Sequence, residues 1–373
     1  MFTTLHIMKN IILTLALVLP LVLSAQYSSD YLQRFTESGK TGWRFSNAVA
    51  ANYGNIGSEA VDLSYSSGAS TTRGARGSYS TAMGYNTTVS GDYSTAMGVY
   101  SYASGDYSTA MGEYTTASGT RSTAMGESTI ASGEGSTAMG EYTTASGYSS
   151  TAMGEFTTAS GDYSTAMGYE TTASHSLSLV SGQYNSVGSS VPPNANATSF
   201  DTDNAAFVIG NGTSSNAKSD AFVVYFNGDA TLSGDLTINS DERLKDNIQP
   251  LGSTLNKLHQ IEAKTYSFKK DEEHTPKIGV LAQEVQAVFP ELVTEGADGI
   301  LSVNYQGLVP VLINAINEQE LKMSEQDAKI AALEAKNSTL SEVNTRLAQL
   351  EELVKFYSLH ASQSSTSLTL HRN

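Results

Sequence analysis

The sequence predicts a mainly β protein in which a parallel β-solenoid is followed by a small α+β region and a C-terminal coiled coil. Three observations support this prediction: repeats of constant length in the middle of the chain, a change of composition near residue 240, and a heptad pattern after residue 309. The chain has 373 residues, no cysteine and a formal net charge of -16. The missing cysteine excludes disulfide frameworks, thiol nucleophiles and zinc–cysteine sites. The acidic balance argues against a nucleic-acid partner, because phosphate backbones are bound by basic surfaces.

The central stretch repeats every fourteen residues from Gly77 to Ser174, without insertions, which indicates one structural rung per copy. A rung with glycine at two fixed positions is too short for two helices. It can hold two short strands and two tight turns, with glycine supplying the turn dihedrals. Strand alternation places alanine on a narrow interior face and threonine and methionine on the other face, where an exposed methionine row favours self-association. The recurring methionines are Met83, Met97, Met111, Met125, Met139, Met153 and Met167.

These repeats resemble the head of trimeric autotransporter adhesins, the YadA-like left-handed parallel β-roll. The resemblance rests on S-T-A-M-G followed by A-S-G, as at Ser108–Gly112 and Ala117–Gly119. It implies a homotrimer that presents a rod at a surface. The chain departs from that family at its C-terminus, where no run of amphipathic membrane strands closes the sequence.

Two ladders of side chains on the repeats are candidate binding features. Aromatic rings can stack sugars and carboxylates can hold cations, so a surface glycan or a protein receptor is the candidate external partner. The alternative is that the aromatics cover strand edges and the glutamates form a solvated face. The ladders are Glu113, Glu127, Glu141 and Glu155 at one repeat position, and Tyr100, Tyr114, Tyr142 and Phe156 at the next.

Residues 1–25 have the pattern of a secretory signal peptide. Lys9 precedes a short apolar run, Ile11–Ser24, and small residues place a cleavage site near Ala25–Gln26. The run is shorter than the roughly 20 residues that a membrane span needs. We therefore expect a secreted or cell-surface protein with no transmembrane span in the mature chain; the alternative is a retained signal anchor.

A different kind of sequence begins at Ser240 and carries four matching blocks in order. From there to about residue 325 the chain resembles the peptidase S74 family, the C-terminal intramolecular chaperone of phage tail spikes and endosialidases. The blocks are Ser240–Lys245 with Asn247 and Ile248, then Ile278–Val285, then Phe289–Val293, and finally Tyr305.

The S74 resemblance implies self-cleavage by a Ser–Lys dyad after trimerisation, on the N-terminal side of the serine. Carried over, Ser240 is the nucleophile, Lys245 is its partner, and Asn239–Ser240 is the scissile bond. A serine hydroxyl needs a base, and a lysine can serve where burial lowers its pKa. Residues five apart on an uninterrupted helix point about 140° apart, so Ser240 must precede any helix and Lys245 must fold back toward it.

The alternative interpretation makes Ser240 the N-cap of a helix whose first turn holds Asp241 and Glu242, with Lys245 a solvated lysine. The six histidines show no metal-ligand spacing, and no Ser–His–Asp arrangement is readable. We therefore expect neither a metal nor a cofactor.

The chain turns helical after Asn304, and a seam with steps of three and four residues predicts a coiled coil over residues 309–355. Asn337 and Asn344 occupy a positions, where they fix register at some cost in stability. A trimer agrees with both resemblances; the alternative is an amphipathic helix that packs on its own domain. The seam comprises Val309, Leu312, Ile316, Gln319, Met323, Gln326, Ile330, Leu333, Asn337, Leu340, Asn344, Leu347, Glu351 and Val354.

These features predict an exported homotrimeric, adhesin-like fibre whose C-terminal chaperone drives trimerisation and folding. The chaperone is then released by a single-turnover serine endopeptidase reaction that has no external substrate. Two alternatives stay open: a phage-type tail fibre or spike with the same chaperone, and a chaperone retained as an uncleaved trimerisation clamp. The predicted segments are a signal peptide (1–25), a degenerate head (26–76), β-roll repeats (77–188), a β-rich neck (189–239), the chaperone (240–325), the coiled coil (309–355) and a polar tail (356–373).

Overall fold

The computed structural model describes residues 31–188, 197–269 and 274–369, the last eight of these by their backbone only. It divides into two compact units, one ending at Ile238 and the other beginning at Asn239. The predicted signal peptide, residues 1–25, lies outside the described residues.

The first unit is a parallel β-solenoid of about ten turns, as the repeats predict. Each fourteen-residue rung gives one strand of five residues and one of two, and each strand pairs in parallel with its equivalent in the next rung. The register is one whole rung, so that Ala110 pairs with Ala124 and Met111 with Met125. The mainly β solenoid fold is therefore confirmed.

The strands form a long sheet and a short sheet. The long sheet runs in the order β1 (Leu32–Glu37), β2 (Lys40–Phe45), β3 (Val61–Tyr65), β5 (Thr81–Tyr85), β7 (Thr95–Val99), β9 (Thr109–Glu113), β11 (Thr123–Glu127), β13 (Thr137–Glu141), β15 (Thr151–Glu155), β17 (Thr165–Tyr169), β19 (Leu179–Gln183), β20 (Ala205–Asn211), β21 (Asp220–Tyr225) and β22 (Ala230–Leu232). The short sheet contains β4 (Gly74–Ala75), β6 (Thr88–Val89), β8 (Tyr102–Ala103), β10 (Thr116–Ala117), β12 (Ile130–Ala131), β14 (Thr144–Ala145), β16 (Thr158–Ala159) and β18 (Thr172–Ala173).

The core between the two sheets is built almost entirely of alanine. Each T-A-M-G strand buries its alanine and leaves threonine and methionine half-exposed, as strand alternation predicts. The short strands supply a second alanine row, and valine takes the same interior position at Val89 in the short sheet and at Val180 in the long sheet. The fully buried alanines are Ala82, Ala96, Ala110, Ala124, Ala138, Ala152 and Ala166 from the long sheet, and Ala103, Ala117, Ala131, Ala145, Ala159 and Ala173 from the short sheet.

The turns depend on glycine less than the sequence suggests. The glycine of S-T-A-M-G does have a positive φ, +129° at Gly112, and a Cβ there would run into the carbonyl of Gly126. The turn corners, however, mostly hold residues with side chains in the left-handed region, such as Tyr107 (φ 60°) and Tyr114 (φ 52°). The left-handed conformation costs a non-glycine residue roughly 1–2 kcal/mol. Stacking of the Tyr107 and Tyr114 rings on the equivalent rings of the preceding rung offsets part of this cost.

Both ends of the solenoid carry buried polar groups that differ from the repeats. At the N-terminal end Arg44 is 2% exposed, and its Nε lies 3.1 Å from Asp62 and its Nη1 3.1 Å from Glu37. At the C-terminal end His175 replaces the glycine that opens each rung, and its Nδ1 accepts the backbone N–H of Ala205 at 2.9 Å. These side chains fill the ends of a core that alanine alone would leave open.

The second unit is a small α+β fold around Val285, Phe289 and Val311. Its elements are the helices α1 (Leu255–Leu258), α2 (Ala282–Val288) and α3 (Leu308–Thr369), the antiparallel hairpin of β23 (Lys264–Tyr266) and β24 (Lys277–Gly279), and the hairpin of β25 (Val293–Glu295) and β26 (Leu301–Val303).

Helix α3 begins where the heptad pattern begins, with Pro310 in its first turn, where proline is tolerated. The predicted long helix is confirmed. In the single chain the side chains of its seam are exposed to solvent: Ile316 is 62%, Leu333 61% and Leu340 62% exposed. The coiled coil itself stays a prediction. In the part of the chain that the structure describes, none of the helices is long and apolar enough to cross a membrane.

Because the rungs stack so closely, we expect a Cβ added at a repeat glycine to lower the stability of the solenoid. Gly112→Ala combines left-handed strain with a clash against the Gly126 carbonyl. We expect a loss of at least about 1 kcal/mol, or roughly 2–4 °C in the thermal midpoint of a domain of this size, measured by circular dichroism. Gly234→Ala is the matched control, because nothing lies within 4 Å of its Cβ position. Equal midpoints for the two variants would contradict this account of the stack.

Candidate active site

The Ser240 region is a short turn. Residues Glu242–Leu244 form one turn of 3-10 helix, and Asp241 is its N-cap, with a carboxylate that accepts the backbone N–H of Arg243 at 2.9 Å. The interpretation of Ser240 as the N-cap is therefore wrong. The helix ends after a single turn because Lys245 returns to extended dihedrals, φ -116° and ψ 147°.

This short turn brings Ser240 and Lys245 together. The Lys245 Nζ donates a hydrogen bond to the Ser240 Oγ at 2.7 Å. A longer helix would have pointed the two side chains apart, whereas a single turn with extended residues at both ends lets the lysine fold back. The distance lies within the 2.6–3.2 Å over which a general base can take a proton.

An exposed ion pair lies next to the serine. The Arg243 guanidinium donates to both carboxylate oxygens of Asp241, from Nε at 2.9 Å and from Nη2 at 2.8 Å. These hydrogen bonds, with a contribution from the Lys245 charge, lower the pKa of Asp241. Asp241 therefore remains a carboxylate that occupies Arg243, which leaves the lysine amine to the serine.

The whole segment around the pair is open to water. Every residue from 239 to 253 is exposed, and among the described residues the hydrogen bonds of 239–251 stay within that segment. In the single chain, Ser240 and Lys245 are thus in contact but not buried.

The remaining blocks that resemble the S74 family build the unit that carries this segment. Val285 and Phe289 form its core. The Tyr305 hydroxyl accepts the Val280 N–H at 3.2 Å, and a Cβ on Gly279 would lie 2.7 Å from that hydroxyl. These residues position backbone and packing rather than react.

The predicted Glu ladder is a set of in-register neighbours on adjacent strands, largely exposed. In the predicted aromatic ladder, Tyr100 and Tyr114 stack with ring centroids 5.2 Å apart, as do Tyr142 and Phe156 at 5.0 Å. Ser128 interrupts the run between them. Ligand binding by these ladders stays a prediction.

Sequence reasoning missed a second aromatic ladder and a set of backbone staples. Tyr79, Tyr93 and Tyr107 stack at 5.0 and 5.1 Å. The aspartates before Tyr93 and Tyr107 each bond to the preceding rung: Asp92 accepts the N–H of Ser78 at 2.7 Å, and Asp106 accepts the N–H of Asp92 at 2.9 Å. The recurring sequence G-D-Y-S was the feature of the sequence from which both could have been predicted. Across residues 31–188, 197–269 and 274–369, no group of three or more His, Asp or Glu side chains is placed to hold a metal ion.

Comparisons with known proteins agree with both resemblances. Residues 240–294 match the Peptidase_S74 family model, the chaperone of endosialidase. Overlapping segments between residues 75 and 171 match the YadA head domain repeat. The chain thus joins a YadA-head segment to a segment of the endosialidase-chaperone type, and both predicted resemblances are confirmed.

Two relatives are phage proteins. Long tail fiber protein Gp37 of Escherichia phage AR1 is 38% identical over 97 residues, which are 24% of this chain and 9% of that protein. Long tail fiber protein Gp37 of Salmonella phage S16 is 33% identical over 99 residues, 24% of this chain and 13% of that protein. The matches therefore cover about a tenth of the length of these relatives.

Charge pairing in the second unit predicts a stability window in pH. The Glu284 carboxylate accepts the Glu262 N–H at 2.9 Å and lies 3.2 Å from Lys264, and these contacts lower the pKa of Glu284 below its ordinary 4.5. Its contribution is therefore complete above pH 4.5 and is lost as pH falls through the lower folded value. The pKa of Lys264 is raised by Glu262 and Glu284, so its contribution is lost only as pH rises past 10.5.

We expect Glu284→Gln to flatten the acid limb of the thermal midpoint of the second unit between about pH 5 and pH 3. Glu291→Gln, an exposed neighbour, is the control and should keep the wild-type slope. If the thermal midpoint of Glu284→Gln falls with pH as steeply as that of wild type, ionisation of Glu284 does not cause the loss of stability in acid.

Proposed function

We propose that this chain is an exported, homotrimeric, adhesin-like fibre matured by a self-cleaving C-terminal chaperone. The observation that carries the proposal is the 2.7 Å hydrogen bond between Lys245 Nζ and Ser240 Oγ within the segment that matches the endosialidase-chaperone model. The YadA-head match and the phage fibre relatives support the fibre.

The proposed reaction is an acyl shift followed by hydrolysis. Lys245 accepts the Ser240 hydroxyl proton while Oγ attacks the carbonyl carbon of Asn239, the residue directly before it. The Asn239–Ser240 amide bond breaks, its nitrogen takes the proton as the new N-terminal amine, and an ester joins Asn239 to Oγ. Water then hydrolyses the ester, which leaves a carboxyl-terminal Asn239 and a free Ser240 hydroxyl.

Trimerisation is the proposed trigger for this reaction. A lysine acts as a base at neutral pH where burial disfavours its charged form, and the pair is exposed in the single chain. Neighbouring copies would supply the missing cover. Leu244 and Ile248 flank the pair with 70% and 57% of their surfaces exposed, which suits an apolar contact with another chain.

The α3 seam is the proposed route to the trimer. Its apolar residues follow the heptad over most of the helix and are more than half exposed at Ile316, Ile330 and Leu333. A helix of this length with an open apolar stripe is stabilised by burying that stripe against copies of itself. Asn337 and Asn344 would fix the stagger of the chains.

The phage relatives favour a second candidate, a tail fibre assembled with the same chaperone. The two candidates share the trimer and the cleavage and differ in location. Residues 1–25 separate them, because a signal peptide directs export and a phage fibre that assembles in the cytoplasm needs none.

Mass spectrometry of the purified chain tests the dyad. We expect wild type to yield two pieces, the C-terminal one beginning at Ser240, and Ser240→Ala and Lys245→Ala to remain intact, with at least a ~10³-fold slower reaction. Glu242→Gln is the control and should cut like wild type, since it changes an exposed carboxylate of the same turn and leaves both reacting groups and the Asp241–Arg243 pair in place. An intact, trimeric wild type would instead make the second unit a permanent clamp.

The trimer is tested on the seam in the Ser240→Ala chain. Leu333→Asp at a d position should abolish trimers in light-scattering measurements, because a charge in the seam costs several kcal/mol to bury. Ala332→Asp, one residue away and outside the seam, should leave them intact. In the cleavable chain, Leu333→Asp should also prevent the cut. Cleavage by such a monomer would show that the reaction does not depend on trimerisation.

A further inference from the structure

The segment that carries Ser240 and Lys245 is held to helix α3 by hydrogen bonds at its C-terminal end, at a group of residues that we term the clasp. The segment, residues 239–251, is here termed the arm. The clasp consists of Gly252, Ser253, Thr254 and Leu255 together with Asn314 and Glu318 from helix α3.

A single carboxylate holds most of the clasp. Glu318 accepts the backbone N–H of Thr254 at 2.6 Å, the Ser253 hydroxyl at 2.8 Å and the N–H of Leu255 at 3.4 Å. It thereby satisfies N–H groups at the start of helix α1, where the Thr254 side chain caps nothing. These hydrogen bonds, led by the Thr254 N–H, lower the pKa of Glu318.

Asn314 lies one turn earlier on α3 and completes the clasp. Its Nδ2 donates to the Gly252 carbonyl at 3.0 Å and to the Thr254 hydroxyl at 3.0 Å, and it lies 2.9 Å from Glu318. Thr254 is 1% exposed. The arm is thus open to water along its length and becomes fixed at the residue where it meets α3.

The same turns of α3 show two faces. Val311 and Ala315 are 4% exposed and pack within their own unit, on the side of the clasp. Ile313 and Ile316 are 56% and 62% exposed and belong to the open side. One stretch of helix therefore holds the root of the arm and presents the start of the seam.

We propose that Glu318 and Asn314 are positioning residues for self-cleavage, which fix the root of the arm on the helix that trimerises. This inference rests on the proposed self-cleavage and names the element that couples it to assembly. The chain from Lys245 to Gly252 reaches at most ~25 Å when extended, so the clasp limits where the reacting pair can lie in a trimer. A loose root spreads the pair over many positions, and misplacement by about 1 Å can cost a hundredfold in rate.

The full chain tests the clasp through two quantities, the rate of cleavage and the fraction of trimer, the latter measured in a Ser240→Ala background. We expect Glu318→Ala to cut at least ~10-fold more slowly than wild type, Glu318→Gln to be intermediate, and both to form trimers. Glu325→Gln is the matched control, because it lies one heptad further along α3 at the same position and is exposed; it should cut at the wild-type rate.

A second variant keeps every clasp residue and changes only the tether. Two glycines inserted after Pro250 lengthen the arm, and we expect slower cleavage with an unchanged trimer fraction, which a merely structural role for Glu318 would not produce. Two glycines inserted after Gly234, upstream of Ser240, are the control and should have no effect.

The outcomes separate the two proposals. A wild type that trimerises but never cuts overturns self-cleavage and this inference with it. A wild type that cuts, together with an insertion after Pro250 that cuts equally fast, overturns the clasp alone. If Glu318→Ala does not fold, the insertion variant decides the question, since it retains Glu318 and Asn314.

Discussion

The in-register stacking of identical fourteen-residue rungs is the constraint on which the first unit depends. Each strand pairs in register with the equivalent strand one rung away, so Ala110 lies beside Ala124 and the interior is a stack of mostly alanine side chains. Glycine is obligatory where a rung passes close to the next, as Gly112 does to Gly126. Longer rungs occur towards the ends of the solenoid, where Val61 still pairs with Thr81 and Leu179 with Phe207, whereas the repeats between them keep a constant length.

Identical rungs create a register problem between chains. A shift of one rung, about 4.8 Å, brings a repeated surface against a copy of itself, so the repeats distinguish poorly between correct and slipped alignments. The distinguishing features lie outside them, in the buried Arg44 cluster and in His175 at the ends of the solenoid. A C-terminal helix with Asn337 and Asn344 in its seam would fix the stagger before the rungs pair. The proposed chaperone thus supplies the information that the repeats lack.

The repeating patterns of the sequence predicted the alanine core of the solenoid and the long helix α3. Two-residue alternation placed Ala110 inside, and steps of three and four residues located α3. The features missed arise from single side chains that reach distant backbone. Asp106 bonds back one rung, Tyr107 adopts a left-handed turn, and Glu318 reaches Thr254 across 64 residues of sequence. The family resemblance paired Ser240 with Lys245. It could not show that Asp241 rather than Ser240 caps the turn.

The exposure of the Ser240–Lys245 pair is consistent with a reaction that must wait. The 2.7 Å hydrogen bond brings the two side chains into contact in the single chain, while both remain exposed to water. Under the proposed function, the cover that completes the site comes from the same chains whose assembly the cut makes irreversible. Under the same proposal, a premature cut would release the chaperone from an unassembled chain, so a site that only assembly covers would make cleavage follow trimerisation. If α3 assembles as proposed, the hydrogen bond from the Thr254 N–H to the Glu318 carboxylate would couple assembly to the reaction, because it fixes the segment that carries the pair on that helix.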